Sequence, residues 1–199
     1  MKRFIDIIVS FLVLLVLSPI LIIVAIAIKL ESKESIFFKQ ERVGLNGKVF
    51  NLLKFKSMKS NIAAEKNFDF SLDEERITKV GKFIRRTKID ELPQLINVLK
   101  GDMSLVGPRP TIKKQVDAYN DYQRQRLNVR PGMTGLAQVN GNIYLDWDER
   151  IKYDVYYVRN KSLLLDLKIL FKTVGVVIFG EGKFLNTELL DRNKTEGAK

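Results

Sequence analysis

The hydrophobic pattern is densest at the start of the chain. From Phe4 to Ile28, a run of 25 residues is apolar apart from Asp6, Ser10 and Ser18, with Pro19 near its middle. As a straight helix it reaches about 38 Å at a rise of about 1.5 Å per residue, enough to cross a bilayer core of roughly 30 Å. Ser18-Pro19 argues against a straight helix, because proline lacks one backbone donor and disfavours the α region for the residue before it. Lys2 and Arg3 precede the run and Lys29 and Lys33 follow it, so charge gives no orientation and a hairpin with both ends on one membrane face is as consistent as a span. Ala25-Ile26-Ala27 resembles a cleavage site. The apolar stretch before it is longer than a signal-peptide core and contains Pro19, which opposes cleavage.

The rest of the chain alternates apolar and polar positions as one compact domain requires. Ile36-Phe37-Phe38 and the segment from Val49 to Phe55 flank Gly44-Leu45-Asn46-Gly47, which predicts a β-hairpin. Residues 61–80 are polar and read as a loop or short helix. Leu92, Leu95, Ile96 and Leu99 recur at helical spacing, and Gly101 is a stop signal. Thr111 to Arg130 reads as a charged surface helix, and Arg130 to Gly135 and Gln138 to Gly141 as glycine-punctuated loops. Asp146 to Arg159 predicts a helix bearing Trp147, Tyr153, Tyr156 and Tyr157. The apolar stretch from Ser162 to Phe179 fits either buried core or a helix in the membrane interface. Residues 180–199 form a polar tail with no expected role in the fold.

Composition narrows the chemistry. The chain contains no His and no Cys. That removes Ser-His triads, thiolate nucleophiles, a histidine base and Cys/His zinc sites. What remains is carboxylate, Lys, Tyr, Ser or Thr chemistry, or an oxygen-liganded metal. The net charge of +11 favours anionic partners. No aromatic RNP-type strand or zinc module points to nucleic acid, and beside a hydrophobic anchor, anionic lipid headgroups are the more economical match.

Adjacent carboxylates Asp90 and Glu91 stand just before the Leu92 helix, with Pro93 in its first turn. Taken alone, an acidic pair there is most often an N-cap. Here Arg85 and Arg86 precede it, and Pro108-Arg109-Pro110 follows soon after the helix ends. The arginines serve either a structural salt bridge or bidentate capture of a diphosphate. Lys54 and Lys56, two apart, share a strand face that in isolation reads as a solvated basic surface.

Ordered blocks run from Lys2 to about Thr173. They include Lys-Arg-Phe-Ile-Asp at 2–6, Ser18-Pro19, Gln40-x-Arg42-x-Gly44, Lys54-Phe55-Lys56-Ser57-Met58, Asp90-Glu91-Leu92-Pro93-Gln94, Gly101 to Pro110, Arg130-Pro131-Gly132, Gly135-x-Ala137-Gln138-Val139-Asn140-Gly141 and Asp154-x-Tyr156-Tyr157. In these the chain resembles the small monotopic polyprenyl-phosphate phosphoglycosyl transferases, within the bacterial sugar transferase family. It resembles the form without the extra multi-span domain of larger relatives.

The resemblance implies an α+β, mainly helical fold. Residues 1–33 would form a re-entrant membrane helix broken at Ser18 and Pro19, residues 34–179 a catalytic domain on the cytoplasmic face of the bacterial inner membrane, with a small β-hairpin and interfacial helices, and 180–199 the tail. It implies Asp90 as nucleophile on a UDP-sugar donor, a polyprenyl phosphate acceptor such as undecaprenyl phosphate, and Mg²⁺ or Mn²⁺ held by Asp90 and Glu91. Arg85, Pro108, Arg109, Pro110, Lys54 and Lys56 would contact substrate. It implies no nucleic-acid partner and leaves room for a homo-oligomer. Lys88 and Ile89 replace a commoner Ser-Leu before the dyad, and Leu136 a frequent Trp. The competing reading, a non-catalytic anchored module binding anionic lipid or nucleic acid through its basic surface, leaves Asp90-Glu91 beside Pro108-Arg109-Pro110 unexplained.

Overall fold

The computed structural model describes residues 1–60 and 73–185. The expected loop over 61–80 lies outside the described residues as far as 72, and the tail does so from 186 onward. Helix α1 (Lys2–Ser32) leads into an antiparallel hairpin of β1 (Phe37–Val43) and β2 (Val49–Phe55). Phe37 pairs with Phe55 and Val43 with Val49, and the Phe37 and Phe55 rings stack 5.5 Å apart. Asn46 and Gly47 take positive φ in the connection, as a tight reversal between right-twisted strands requires. Helices α2 (Lys79–Arg86) and α3 (Gln94–Lys100) follow. Two short strands, β3 (Ser104–Val106) and β4 (Gly132–Thr134), pair in parallel. Helices α4 (Trp147–Asn160) and α5 (Leu163–Phe179) complete the domain.

The main core joins Phe50 and Leu52 of the hairpin to Leu95 and Val98 of α3, Leu105 and Val106 of β3, and Tyr153, Tyr157 and Ile169 of the last two helices. Each such side chain contributes about 1.5–3 kcal/mol by leaving water. Helix α3 is central, and its Asn97 is buried. The Asn97 amide accepts from Leu53 N at 3.0 Å and donates to Asn51 O at 2.8 Å, fixing β2 against the helix.

Several expectations need correction. The β4 segment, expected as a glycine-punctuated loop, is a strand, and it pairs with β3, for which no element was expected. A Cβ on Gly132 would come within 2.1 Å of Gly107 N, so the glycines there mark backbones pressed together. The Thr111–Arg130 helix is broken into Lys113–Asp117, Asp121–Arg124 and a 3-10 turn at Gln125–Asn128. Arg126, assigned to a solvated face, is buried against Asp154. The tail does not leave the fold at once: after Gly180 the chain turns back and packs as a 3-10 turn, Glu181–Phe184.

Among the described residues α1 is one helix, where a helix-break-helix was expected. Pro19 removes the donor that Leu15 O would receive, and the Ser18 hydroxyl supplies a replacement at 2.8 Å. One face of α1 packs on the domain from end to end, through Asp6, Ser10, Val13, Leu14, Val24 and Ile28. Near its start, Lys2 bonds Asp166 at 2.6 Å, Arg3 caps the carbonyls of Val98 and Leu99, and Asp6 accepts from Ser104 Oγ at 2.8 Å. At its far end, Glu31 accepts from the first amides of α2, Lys79 N at 2.7 Å and Val80 N at 2.9 Å. The opposite face is bare and apolar, with Phe4, Val16, Ile23 and Leu30 each about two-thirds exposed or more. Helix α5 buries only Asp166 and Ile169, leaving Leu164, Phe171, Val174 and Ile178 exposed, so it is not the buried core helix that its composition also allowed.

Candidate active site

The dyad lies ahead of α3 rather than capping it. Lys88 adopts the left-handed conformation (φ 59°), and Ile89–Glu91 form a 3-10 turn that runs into Pro93, the N-cap of α3. This turn aims the two carboxylates into different surroundings. Glu91 Oε1 receives Lys54 Nζ at 2.6 Å from β2 and Arg109 Nη2 at 2.9 Å from the Pro-Arg-Pro turn. Asp90 is buried and takes no hydrogen bond on its side chain among the described residues.

Electrostatics separates the pair further. Burial pushes the Asp90 carboxyl above its ordinary value; Lys54 pulls it back, the Glu91 charge adds to the rise, and Arg85 and Lys88 oppose it. Burial acts on Glu91 in the same sense, but Arg109 and Lys54 outweigh it and hold that carboxyl well below the usual range. Glu91 is therefore a fixed anion that organises two cations. Asp90 is an uncommitted carboxylate beside them.

Of the residues singled out from sequence, the structure gathers Lys54, Arg85, Asp90, Glu91 and Arg109. Arg85 donates to Met58 Sδ at 3.3 Å, with its charge felt at Asp90. Pro108 and Pro110 line a cleft with Arg109, Val43, Gly44 and Thr111. Lys56 is not brought to the dyad, since it is ion-paired with Glu34 and bonded to Ser60.

The structure adds three residues to which sequence gave no role. Lys88 carries its charge to the rim of the site. Arg126 accounts for the rigidity of the Pro-Arg-Pro turn: it donates to Arg109 O at 3.0 Å, to Tyr119 Oη at 2.6 Å and to Asp154 at 2.5 Å. Arg42, visible in sequence only as part of a spaced motif, lies close enough to Arg109 for burial and that like charge to lower its pKa to about 10. Arg109, lining the cleft with a second guanidinium near it, favours an anionic ligand.

A hard cation fits the donor set. Both contacts to Glu91 fall on Oε1, leaving Oε2 and the Asp90 carboxylate, and Mg²⁺ bound through substrate phosphates needs only one or two protein carboxylates. No cluster of three or more metal-ligating side chains occurs among the described residues, so an all-protein cage is not what the site offers.

An apolar helix laid along a small domain, with a free carboxylate set among cations, points to a membrane-associated protein with a charged site. Comparison with known proteins agrees: the bacterial sugar transferase family matches residues 1–180, and the chain belongs to that family. An uncharacterized sugar transferase of Bacillus subtilis is 44% identical over 182 residues, covering 92% of this chain and 89% of its own length. The undecaprenyl-phosphate galactose phosphotransferase of Salmonella typhimurium is 43% identical over 199 residues, covering 92% of this chain and 42% of its own. The UDP-glucose:undecaprenyl-phosphate glucose-1-phosphate transferase of Klebsiella pneumoniae is 45% identical over 181 residues, covering 87% of this chain and 39% of its own. The chain thus spans less than half of the two relatives whose names state a reaction.

Proposed function

We propose that the protein transfers a phosphosugar from a UDP-sugar to a polyprenyl phosphate such as undecaprenyl phosphate, through a covalent intermediate on Asp90, releasing UMP and starting assembly of a membrane glycan. The observation that carries this reading is the contrast within the dyad: Glu91 is clamped by Lys54 and Arg109, while Asp90 beside it is buried, carries no hydrogen bond among the described residues, and lies in the field of Lys54, Arg85 and Lys88. Those cations offset the repulsion that an anionic nucleophile meets at a diphosphate.

An oxygen of Asp90 attacks the β-phosphorus of the donor. The bond from that phosphorus to the bridging oxygen breaks, UMP leaves with the electron pair, and the phosphosugar stays on the Asp90 carboxylate as an acyl phosphate. A phosphate oxygen of the polyprenyl phosphate then attacks the same phosphorus, giving polyprenyl-diphosphate-sugar and freeing Asp90. Arg109, anchored by Arg126 and flanked by two prolines, holds the departing nucleotide phosphate. Lys54 holds Glu91 and limits its repulsion of the incoming anion. Asp90 and Glu91 would hold a Mg²⁺ or Mn²⁺, which would supply neutralisation of the diphosphate charge.

The acceptor sets the location. A polyprenyl tail keeps its phosphate at the bilayer surface, and the bare apolar faces of α1 and α5 would hold the domain there, with α5 in the interface. Both ends of α1 are bonded to one domain, which supports a segment that enters and leaves on a single face, the cytoplasmic face of the bacterial inner membrane. The test is UMP release from a panel of UDP-sugars by the full chain in undecaprenyl-phosphate-containing nanodiscs. UMP is expected with at least one donor, and release with none refutes the reading.

A further inference from the structure

Gly180 ends α5 at φ 87°, and the chain reverses into the Glu181–Phe184 turn. Glycines seat this strap. A Cβ on Gly175 would meet the Phe184 ring at 2.8 Å, a Cβ on Gly141 would meet Leu185 at 2.6 Å, and the Tyr144 ring lies 3.2 Å from where a Cβ of Gly182 would stand. The seating brings Glu181 to the active-site rim, its Oε1 3.5 Å from Lys88 Nζ and its side chain only 17% exposed. Its charge is also felt at Arg109. The family match ends at residue 180, just before this carboxylate.

A carboxylate repels a diphosphate, so a phosphate is the wrong partner for Glu181. What it recognises well is a neutral hydroxyl, and carboxylate acceptors make the stronger class of hydrogen bond. When the donor's β-phosphate meets Asp90, the sugar on that phosphate stays at the dyad after UMP leaves, two residues along the chain from Lys88. We propose that Glu181 accepts a hydrogen bond from a hydroxyl of the donor sugar, which makes the strap a specificity-determining element of the site. The proposal rests on the UDP-sugar reading above. The related enzymes named above differ in their sugar, galactose in one and glucose in the other, so sugar choice is a property that a residue at the rim of the site can set.

The experiment measures kcat/KM for UMP release with the best UDP-sugar, its C4 epimer and its 2-acetamido counterpart, in wild type, Glu181→Gln and Phe184→Ala. Glu181→Gln keeps the shape and removes the charge; Phe184→Ala loosens the seat and leaves the carboxylate in place. Both are expected to change the selectivity between sugars by about tenfold, as loss of a charge-assisted hydrogen bond predicts. UDP alone, titrated calorimetrically, should bind Glu181→Gln as tightly as wild type or tighter, since Lys88 is released. A general loss of activity with the sugar ratios unchanged within about twofold overturns the proposal, because a purely structural strap does that. Weaker UDP binding to Glu181→Gln overturns it too, by assigning Glu181 to the diphosphate. If wild type releases no UMP from any donor, the UDP-sugar reading itself fails, and the inference falls with it.

Discussion

At the scale of single residues, the two dyad carboxylates should respond oppositely to neutralisation. The folded-state pKa of Asp90 is raised, so the stability linked to it is complete below the unfolded value and is lost as pH rises through the folded one. At neutral pH the charged Asp90 is therefore a cost to the fold, and Asp90→Asn should melt at or above the wild-type temperature while UMP release falls by about a thousandfold or more. Glu91 is depressed, so its contribution is present above the unfolded value and disappears as pH falls through the folded one. Glu91→Gln leaves Lys54 and Arg109 facing each other and should cost about 1–2 kcal/mol at pH 7, between the exposed and buried limits for ion pairs, with the difference narrowing below about pH 4. Urea melts at two pH values read both. The raised Asp90 also sets the acid limb of kcat/KM above the ordinary aspartate value. Lys54→Met withdraws the largest influence holding it down, and the limb should move to higher pH. Excess EDTA should abolish turnover and added Mg²⁺ restore it, since two carboxylates and a diphosphate are all anionic and need a hard cation between them. Full activity in chelator would remove the metal from the reaction.

At the scale of elements, legibility followed sequence distance. The hairpin, α4 and α5 were readable because the signals are local: Gly and Asn between two apolar runs, and Asp146 and Ser162 as N-caps whose side chains accept from Glu149 N and Leu165 N. The strands β3 and β4 were not readable. Each has three residues, the pairing spans 28 positions (Ser104 to Gly132), and a buried parallel strand has no alternation to reveal it. Arg126 failed for a related reason. A lone arginine in a charged stretch looks solvated until Asp154, Tyr119 and Trp147 close around it from other segments, with the two rings 5.6 and 5.4 Å from its guanidinium. Within the site, Asp90, Glu91 and Arg109 were legible as motifs, whereas Lys88, Arg126 and Glu181 required the fold. Arg126→Ala strands a buried Asp154 and should destabilise by about 3–5 kcal/mol. It also releases Arg109 O, so the KM for the donor should rise in whatever fraction folds. The double variant Arg126→Met, Asp154→Leu should regain most of the stability without regaining the KM. Equal recovery of both would show that the Arg126 contact to the Pro-Arg-Pro turn does nothing for the site.

At the scale of the whole molecule, the question is how a 31-residue apolar helix meets a bilayer while its length is engaged by a folded domain. A helix along the membrane normal would carry that domain's polar surface into hydrocarbon, where each unpaired polar group costs several kcal/mol. The Ser18 hydroxyl on Leu15 O shows how the chain tolerates Pro19 within helical geometry, and the same site is where the segment can bend once lipid covers its bare face. Lys2 and Lys33 should then lie on one side. Single cysteines at these positions, introduced into a chain with no native cysteine, should both react with a membrane-impermeant thiol reagent from the cytoplasmic side of sealed vesicles. Lys2→Cys removes the bond to Asp166, so Met1→Cys with an added initiator serves as a second probe of the same end. Pro19→Leu straightens the segment and should move the N-terminal label to the far side in part of the population, an outcome resisted by the Arg3 and Asp6 contacts to α3 and β3. Labelling of the two ends from opposite sides in the otherwise unaltered chain would establish a spanning helix, and the contacts that Lys2, Arg3 and Asp6 make with the domain could not then persist in the membrane.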